Sequence, residues 1–282
     1  MALLDGKKLA KLIRRQVKEQ VAGFVDRFAR PPTLDVVLVG EDPASQIYVR
    51  NKARACRKAG LGHHEHHLPV DTPAEELFEL VKKLNTDDRV DGVLVQLPLP
   101  KHIPPDVVIS AINPQKDVDG FHPVNLGNLF AGKSGLRPCT PIGCMKLLDE
   151  TGINLEGKNA VVVGRSNIVG KPMAIMLLER HASVTICHSR TEKLAHVVAE
   201  ADVVVAAVGQ PALIDGEWIK RGAVVIDVGM NRLEDGSLVG DVGFEIGASR
   251  ASWITPVPGG VGPMTVACLI SNTLQAAESR LE

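Results

Sequence analysis

A run of β-branched residues that stops at a glycine constrains the fold of this chain most strongly. Val161–Val163 have the apolar continuity of a strand that is buried on both faces of a parallel sheet. Gly164 follows directly, and a helical pattern begins at Gly170. We expect Gly164 to allow a tight turn, Gly170 to allow close packing of helix and strand, and the helix N-terminus to offer free N–H groups to a phosphate. The pattern predicts a dinucleotide-binding unit.

Residues near the glycine turn indicate which dinucleotide would bind. Ser166 replaces the middle glycine of the usual G-x-G-x-x-G pattern, and Arg165 precedes it. The next predicted strand, Ser183–Cys187, is followed by Ser189 and Arg190 rather than by the acidic residue that binds ribose hydroxyls in NAD sites. Guanidinium groups bind phosphate through a bidentate fork, so these residues favour NADP. The alternative interpretation is that Arg190 is a solvated loop charge.

The composition is typical of a globular enzyme, with 45% hydrophobic and 23% charged residues. A net charge of −1 argues against a nucleic-acid-binding surface and against attachment to a membrane surface. No apolar run has the length of a membrane span, and residues 1–10 lack the layout of a signal peptide. The five cysteines include no C-x-x-C pair, which predicts reduced thiols and a cytoplasmic protein.

Helix and strand patterns alternate along most of the chain. The predicted helices are Leu9–Phe28, Ala44–Ala59, Pro73–Leu84, Ile142–Glu150 and a last one from about Met264 to Ser279. The further predicted strands are Leu34–Val39, His64–Val70, Val90–Gln96, Asp202–Ala207 and Ala223–Asp227. Residues 114–141 are predicted to form loops. The alternation predicts an α/β architecture with parallel sheets.

Four residues that precede the glycine turn in the sequence are candidates for a catalytic or binding role. Tyr48 and Lys52 lie four residues apart on a predicted helix and therefore share a face. A lysine beside an aromatic ring can move a proton if burial lowers its pKa; the alternative is an ordinary surface helix. Gln96 ends a predicted buried strand, where ligands of parallel sheets collect. Asp119, in a glycine-bearing loop, can accept two hydrogen bonds from an aminopyrimidine edge, or it can bond its own turn.

Together these segments resemble the bifunctional methylenetetrahydrofolate dehydrogenase/methenyltetrahydrofolate cyclohydrolase family, the FolD family. The resemblance covers nearly the whole chain and keeps the order of the family's motifs. The segments that carry it are Ser45–Lys52, Gln96–Pro100, Asp117–Leu129, Arg137–Pro141, Gly164–Ser166, Val169–Pro172, Cys187–Thr191 and Ile254–Thr265.

The resemblance implies a role for each of several residues. The implied folate-site residues are Tyr48, Lys52, Gln96, Leu97, Asp119, Pro258, Gly259 and Gly260. The implied NADP-site residues are Gly164, Arg165, Ser166, Val169, Gly170, Ser189, Arg190 and Gly229. Lys52 would be the essential proton-transfer group, and Gln96 would hold it. Tyr48 would stack on the aminobenzoyl group of folate, and Asp119 would bind the pterin.

The resemblance also implies two reactions and an architecture. NADP-dependent oxidation of 5,10-methylenetetrahydrofolate would give the methenyl compound, and hydrolysis would then give 10-formyltetrahydrofolate. A folate-binding catalytic domain would comprise residues 1–136, with residues 264–282 packing back on it, and a Rossmann-like NADP-binding domain would comprise residues 137–263. A cleft between the two domains would hold the folate. The family forms homodimers through the cofactor domain, so the expected partners are folate derivatives and a second copy of the chain.

Other interpretations compete with this one. A shikimate-type dehydrogenase would share the two-domain architecture, and a non-catalytic NADP-binding regulator would need only the glycine turn. Short-chain dehydrogenases also use Tyr-x-x-x-Lys, but their pair follows the glycine turn, whereas this pair precedes it. His63–His67 invites a metal, yet alternate strand residues point to opposite faces, so only two or three of them could converge. We therefore predict no metal site.

Overall fold

A computed structural model of the chain describes residues 2–281 and contains two compact units. The large-sheet unit comprises the residues up to Ala10 together with Thr140–Thr265. The small-sheet unit comprises Lys11–Cys139 together with the residues from Val266 onward. Each unit is built on a parallel sheet, so the prediction of a two-domain α/β protein is confirmed.

Helices and strands alternate, as the sequence pattern predicts. The strands are β1 (Ala2–Leu3), β2 (Thr33–Val39), β3 (Gly62–Leu68), β4 (Gly92–Val95), β5 (Asn159–Val163), β6 (Ser183–Cys187), β7 (Val203–Ala206), β8 (Val224–Asp227), β9 (Asn231–Arg232), β10 (Leu238–Val239) and β11 (Trp253–Ile254). The helices are α1 (Gly6–Phe28), α2 (Pro43–Ala59), α3 (Ala74–Thr86), α4 (Pro105–Ala111), α5 (Pro123–Phe130), α6 (Cys139–Glu150), α7 (Gly170–Glu179), α8 (Leu194–Ala199), α9 (Phe244–Arg250) and α10 (Val261–Leu281).

The large-sheet unit is organised around six parallel strands in the order β1-β11-β8-β7-β5-β6. All residues of β7 and β8 are buried, as expected for strands with elements on both faces. The register pairs Val163 with Cys187 on one side and with Ala206 on the other, and Ala206 pairs with Asp227. Because the strands are parallel, the segments that follow these residues all leave the same edge of the sheet.

The small-sheet unit has three parallel strands in the order β3-β2-β4. All seven residues of the central strand β2 are buried. Val37 and Val39 of this strand belong to a core cluster with Leu77 and Val81 of α3. The ladder continues one residue beyond β4, since the Gln96 N–H donates to the Val37 carbonyl at 2.8 Å. Gln96 is therefore held at the carboxyl edge of this sheet.

The C-terminal helix α10 packs on the small-sheet unit through the part that begins at Val266. Its buried Asn272 donates through Nδ2 to the carbonyls of Val118 and Arg137, at 2.8 and 2.9 Å. Near the end of the helix, Arg280 donates to the Val90 carbonyl at 2.7 Å. The prediction that the terminal helix returns to the first domain is confirmed. No helix within residues 2–281 is long and apolar enough to cross a membrane.

The structure differs from the sequence-based expectation at the N-terminus and in the segment predicted as loop. Strand β1 pairs with β11 of the large sheet, and the Leu4 N–H donates to the Ile254 carbonyl at 2.9 Å, so the residues up to Ala10 do not join the first domain. A strand of two residues has no detectable period, which is why the sequence did not reveal it. Helix α5 occupies part of the predicted loop 114–141. It begins at a proline, and the preceding His122 accepts a hydrogen bond from the Val124 N–H at 3.0 Å.

Candidate active site

A buried lysine on α2 is held by a glutamine from the neighbouring strand end. Helix α2 begins where Asp42 accepts a hydrogen bond from the Ser45 N–H at 2.7 Å, and it ends at Gly60 in a left-handed conformation. Lys52 lies within the helix and is only 7% exposed. Its Nζ donates to Gln96 Oε1 at 3.0 Å. The structure thus brings together two residues that are 44 positions apart in sequence.

The orientation of the Gln96 amide is set by a second hydrogen bond. Its Nε2 donates to the carbonyl of the adjacent Leu97 at 2.7 Å. This bond leaves Oε1 directed at Lys52, where it can only accept. Tyr48 lies one helical turn before Lys52, and the residue is 40% exposed. Both residues lie within α2, so the i, i+4 spacing puts them on one helix face, as predicted.

Asp119 lies in a loop that is fixed by buried polar groups. The carboxylate of Asp117 accepts hydrogen bonds from the His122 N–H and from Asn125 Nδ2, both at 2.8 Å. Gly120 has a φ of +76°, and a side chain there would meet the backbone of Arg137 at 2.3 Å. The loop backbone is thereby fixed on both sides of Asp119.

The carboxylate of Asp119 has an environment unlike that of Asp117. Burial raises the pKa of the Asp119 carboxyl, the positive charge of Lys52 lowers it, and the charge of Asp117 adds to the rise. Within residues 2–281, the Asp119 side chain forms no hydrogen bond, so its oxygens are available to a ligand. Lys52, Gln96 and Asp119 together form a polar group in the small-sheet unit.

The glycine turn after β5 packs tightly against its neighbours. Gly164 has a φ of +129°, and a Cβ there would lie 2.2 Å from the Ala207 carbonyl oxygen. A Cβ on Gly170 would lie 2.2 Å from the carbonyl oxygen of Gly164. Only glycine fits either position, because both contacts involve backbone atoms. The expected tight turn and the close approach of α7 are confirmed.

The N-terminus of α7 differs from the expected free N–H groups. Ser166 Oγ accepts from the N–H groups of Val169 and Gly170, at 3.2 and 3.3 Å, and the Ser166 carbonyl accepts from Lys171 at 3.1 Å. Pro172 has no N–H to offer. The expectation of several free N–H groups here was therefore wrong, because a serine at the position of the middle glycine supplies its own hydroxyl to the first turn. Any phosphate would be bound largely by side chains.

Those side chains lie at adjacent strand ends. The Gly164 N–H donates to the Cys187 carbonyl at 2.9 Å, which joins the end of β5 to the end of β6. Arg165 and Ser166 follow one strand, and Ser189 and Arg190 follow the other. All four of these residues are exposed. The turn after β6 is itself ordered, because the His188 N–H donates to Thr191 Oγ1 at 2.8 Å.

The remaining predicted site residues also belong to the large-sheet unit. Gly229 follows β8 and donates through its N–H to Asp227 Oδ1 at 2.9 Å. Gly259 accepts through its carbonyl from the Lys7 N–H at 3.1 Å. Gly260 is also buried, whereas Pro258 is exposed. The functional roles of Pro258, Gly259 and Gly260 stay predictions.

The large-sheet unit contains two buried carboxylates, Asp227 and Asp241. Asp227 begins the segment Asp227–Asn231, for which the sequence predicts either a place in the cofactor cleft or a structural turn, whereas it predicts no role for Asp241. Asp241 is an isolated charge between the apolar residues of β10 and Val242. Such a charge inside an apolar run is the one sequence signal that could have drawn attention to it.

The histidine cluster forms two carboxylate–imidazole groups on opposite faces of β3. Asp35 contacts His64 Nδ1 at 3.0 Å and His66 Nε2 at 2.7 Å. Glu65 contacts His63 at 3.3 Å and His67 at 3.1 Å. Within residues 2–281 no group of three or more metal-ligating side chains has a geometry that could hold a metal ion. One ring nitrogen of each of these four histidines shares a hydrogen bond with a carboxylate instead, and the buried His63 Nδ1 has no hydrogen-bond partner in the described part of the chain.

Comparison with known families finds similarity along nearly the whole chain. The model of the catalytic domain of tetrahydrofolate dehydrogenase/cyclohydrolase matches residues 4–119. The model of the NAD(P)-binding domain of the same enzymes matches residues 138–281. The protein named "Bifunctional protein FolD" from Moorella thermoacetica is 59% identical over 275 residues, which cover 98% of each chain.

Solved structures with the same arrangement of elements carry the same description. The bifunctional FolD methylenetetrahydrofolate dehydrogenase/cyclohydrolase of Campylobacter jejuni matches with a TM-score of 0.97 at 49% identity, over 99% of each chain. The Trypanosoma brucei enzyme, solved with NADP and an inhibitor, matches with a TM-score of 0.96 at 40% identity, over 100% of this chain and 98% of that chain.

The shikimate-type alternative has only a distant structural match. Shikimate 5-dehydrogenase of Thermus thermophilus matches with a TM-score of 0.54 at 15% identity, over 87% of this chain and 99% of that chain. At this identity the likeness concerns the fold alone. The two-domain architecture is shared, and the folate family is the one that matches in sequence.

Proposed function

Because the chain belongs to the tetrahydrofolate dehydrogenase/cyclohydrolase family, we propose that it oxidises 5,10-methylenetetrahydrofolate with NADP⁺ and hydrolyses the methenyl product to 10-formyltetrahydrofolate. The observation that carries this proposal is the buried Lys52, whose amine donates a hydrogen bond to Gln96. Lys52 shares a face of helix α2 with Tyr48. A non-catalytic regulator would have no need of a buried amine held in one orientation.

Lys52 is suited to the proton transfers of the hydrolysis. Water adds to the methenyl carbon, and Lys52 Nζ accepts a proton from that water. The resulting ammonium returns the proton to N5 of the folate as the C–N5 bond breaks, and the carbinol hydroxyl proton leaves to solvent. Gln96 Oε1 accepts an N–H from the amine in both protonation states, so it holds Nζ in place throughout.

Asp119 and Tyr48 are suited to bind the two ends of the folate ring system. The two carboxylate oxygens of Asp119 can accept hydrogen bonds from the paired N–H groups of the pterin's aminopyrimidine edge. The exposed ring of Tyr48 can stack on the aminobenzoyl group. Leu97, beside Gln96, and the segment Pro258–Gly260 are proposed to contact the substrate as well.

The residues at the ends of β5 and β6 fit NADP. Arg165, Ser166, Ser189 and Arg190 are exposed at adjoining strand ends and supply guanidinium and hydroxyl donors for phosphate. Gly164 and Gly170 have no side chains that would block a ligand from approaching the backbone of the turn. Val169 and Gly229 are proposed to line the site. When bound, NADP⁺ accepts a hydride from the methylene carbon of the substrate.

The absorbance of methenyltetrahydrofolate tests the proposed function directly. Purified protein with methylenetetrahydrofolate and NADP⁺ is expected to produce the methenyl band, which then decays faster than it does in buffer alone. Formation without accelerated decay would limit the protein to the dehydrogenase reaction and would remove Lys52 from its proposed role. Absence of the band with both NADP⁺ and NAD⁺ would overturn the proposal and favour the regulator.

Replacement of Arg190 by alanine is expected to weaken NADP⁺ binding by about tenfold or more, the effect of losing one charge-assisted hydrogen bond to phosphate. The affinity for NAD⁺, which lacks the 2′-phosphate, should hardly change. Dissociation constants measured for both dinucleotides check this result. Arg221→Ala, at another exposed arginine of the large-sheet unit, is the matched control. Equal losses of affinity for the two dinucleotides would contradict the assignment.

We further propose that the protein is a cytoplasmic homodimer. The five cysteines, all within the described residues, form no disulfide bond, which suits a reducing compartment. Strand β6 is an edge of the large sheet, and its Ile186 is 41% exposed. An uncovered strand edge offers N–H and C=O groups to a second copy.

The mass of the protein in solution is expected to be that of two chains. Ile186→Lys should shift it toward the mass of one chain, because the substitution places two like charges at the proposed contact. Val107→Lys, at an exposed apolar residue of α4, should leave the mass unchanged. A monomeric unsubstituted protein would contradict the proposed dimer.

A further inference from the structure

Two buried carboxylates of the large-sheet unit have no part in the chemistry proposed above. Asp227 ends β8 and is 3% exposed, and Asp241 follows β10 and is fully buried. Within residues 2–281 neither of them forms an ion pair with a cation. Buried carboxylates without a counter-charge are costly unless hydrogen bonds compensate for the lost water. Their hydrogen bonds therefore indicate what they do.

Asp241 binds the loop that follows β7. Its Oδ2 accepts from the N–H groups of Val208 and Gly209, at 2.6 and 3.0 Å. Its Oδ1 accepts from the Gln210 N–H at 3.0 Å and from Asn231 Nδ2 at 2.9 Å. Three consecutive backbone N–H groups thus point at one carboxylate, an arrangement that fixes the course of the loop.

Asp227 holds the segment that contains Asp241. Its Oδ1 accepts from the Asp241 N–H, and its Oδ2 accepts from the Val242 N–H, both at 2.9 Å. Thr255 Oγ1 in turn accepts from the Asp227 N–H at 2.8 Å. Burial raises the pKa of the Asp227 carboxyl to about 6, while hydrogen bonds from these N–H groups act in the opposite direction. The two carboxylates thus connect the end of β8 to the loop after β7.

This connected group adjoins the proposed NADP site at two places. The loop held by Asp241 begins at Ala207. A Cβ added to Gly164 would lie 2.2 Å from the carbonyl oxygen of Ala207. A Cβ on Gly229 would lie 2.2 Å from Asp241 Oδ1. The Asp241 carboxylate therefore lies beside Gly229 and binds the loop that packs against Gly164. Both glycines belong to the proposed NADP site. A shift of either glycine turn would therefore displace Asp241 or the backbone that it binds.

We propose that Asp241 is a positioning residue for NADP: its carboxylate holds residues 207–210 and Gly229 in the conformation that receives the dinucleotide. This inference rests on the proposed function, because it assumes that NADP binds at the ends of β5, β7 and β8. Asp241 itself is buried and does not contact the ligand. Its effect passes through the backbone of the loop, in the same way that outer hydrogen bonds orient the groups that touch a ligand.

The substitution Asp241→Asn tests the proposal with little change in volume. An amide oxygen can replace one carboxylate oxygen, but the NH₂ group would then face N–H donors that need an acceptor. We expect the dissociation constant for NADP⁺, measured by titration calorimetry, to rise about tenfold or more. We expect the N–H groups of Val208–Gln210 to exchange with solvent faster. Hydrolysis of methenyltetrahydrofolate without NADP⁺ should stay close to that of the unsubstituted protein.

Matched variants separate positioning from a general loss of structure. Asp235→Asn makes the same chemical change in the exposed turn between β9 and β10 and should alter none of the measured quantities. If Asp241→Asn does not fold, Asn231→Ala removes one of the four donors and should raise the dissociation constant by a smaller factor. A merely structural role would lower thermal stability without changing NADP⁺ affinity at temperatures where the protein is folded.

The unsubstituted protein distinguishes the two possible failures. If it neither binds NADP⁺ nor converts methylenetetrahydrofolate, the proposed function fails, and the inference about Asp241 fails with it. If the unsubstituted protein does both, and a folded Asp241→Asn variant binds NADP⁺ equally tightly, the positioning role alone is overturned. Unchanged affinity in Asn231→Ala, where Asp241→Asn does not fold, would overturn it as well.

Discussion

Replacement of Lys52 by methionine is expected to slow the hydrolysis of methenyltetrahydrofolate by about 10²- to 10⁴-fold, the range for loss of one general acid–base group. Methionine keeps an unbranched apolar side chain, one atom shorter than that of lysine, but cannot accept or return a proton. Oxidation of methylenetetrahydrofolate should suffer far less, because hydride transfer produces the methenyl cation without any proton transfer. Decay of the methenyl band measures the first reaction, and NADPH formation measures the second.

The exposed Lys58 on the same helix provides the matched control for this variant. Lys58→Met makes the same chemical change on α2 at a position open to solvent, and both reactions should proceed as in the unsubstituted protein. Lys52→Met leaves Gln96 Oε1 without its partner, which should lower the free energy of unfolding by about 1–3 kcal/mol. A folded Lys52→Met variant that still hydrolyses the methenyl compound at the original rate would exclude Lys52 from the mechanism.

Replacement of Gly164 by alanine is expected to reduce NADP⁺-dependent oxidation by about a hundredfold, the scale of effect that a displacement of about 1 Å in a site can have. The φ of +129° is strained for alanine, at about 1–3 kcal/mol, and the new Cβ would meet a carbonyl oxygen at 2.2 Å. The turn and Ala207 must therefore separate, which shifts the proposed phosphate-binding residues. The dissociation constant for NADP⁺ and the rate of oxidation check this result.

A second glycine separates the strain of the backbone from the close contact. Gly157 lies in the same unit with a φ of +71°, and a Cβ there would have no atom within 4 Å. Gly157→Ala should lower the free energy of unfolding while leaving NADP⁺ binding unchanged. Retained hydrolysis in Gly164→Ala would show that the protein is still folded. Unchanged NADP⁺ binding in that variant would contradict the placement of the cofactor at this turn.

Part of the fold could be predicted because several of its strands are buried on both faces. Such strands appear as continuous β-branched runs, and β7, whose four residues are all buried, lies within the predicted strand Asp202–Ala207. Helix α2 was predictable from an apolar face and from a terminal glycine, Gly60. Short elements were not predictable in this way. Strands β1 and β11 have two residues each, so only their pairing in the large sheet defines them.

The glycine turn shows how local pattern and actual hydrogen bonding can differ. The spacing of Gly164 and Gly170 correctly predicted a tight turn with a close helix. The same pattern suggested free N–H groups at the helix N-terminus, but Ser166 accepts from two of them. Serine is a preferred residue at the start of a helix, because its hydroxyl accepts hydrogen bonds from the first N–H groups. The turn therefore differs from a standard phosphate-binding loop, in which those N–H groups are free.

Local sequence pattern accounts for the longer strands and helices and for the position of Tyr48 and Lys52 on one helix face. Those properties depend on side-chain periodicity over a few neighbouring residues. The contacts of Gln96 with Lys52 and of Asp241 with the loop after β7 arise from the tertiary fold. These partners lie 44 and 33 positions apart, and their contact depends on strand order and register. The order of the strands in a sheet brings distant segments together, and side-chain periodicity over a few neighbouring residues contains no information about that order.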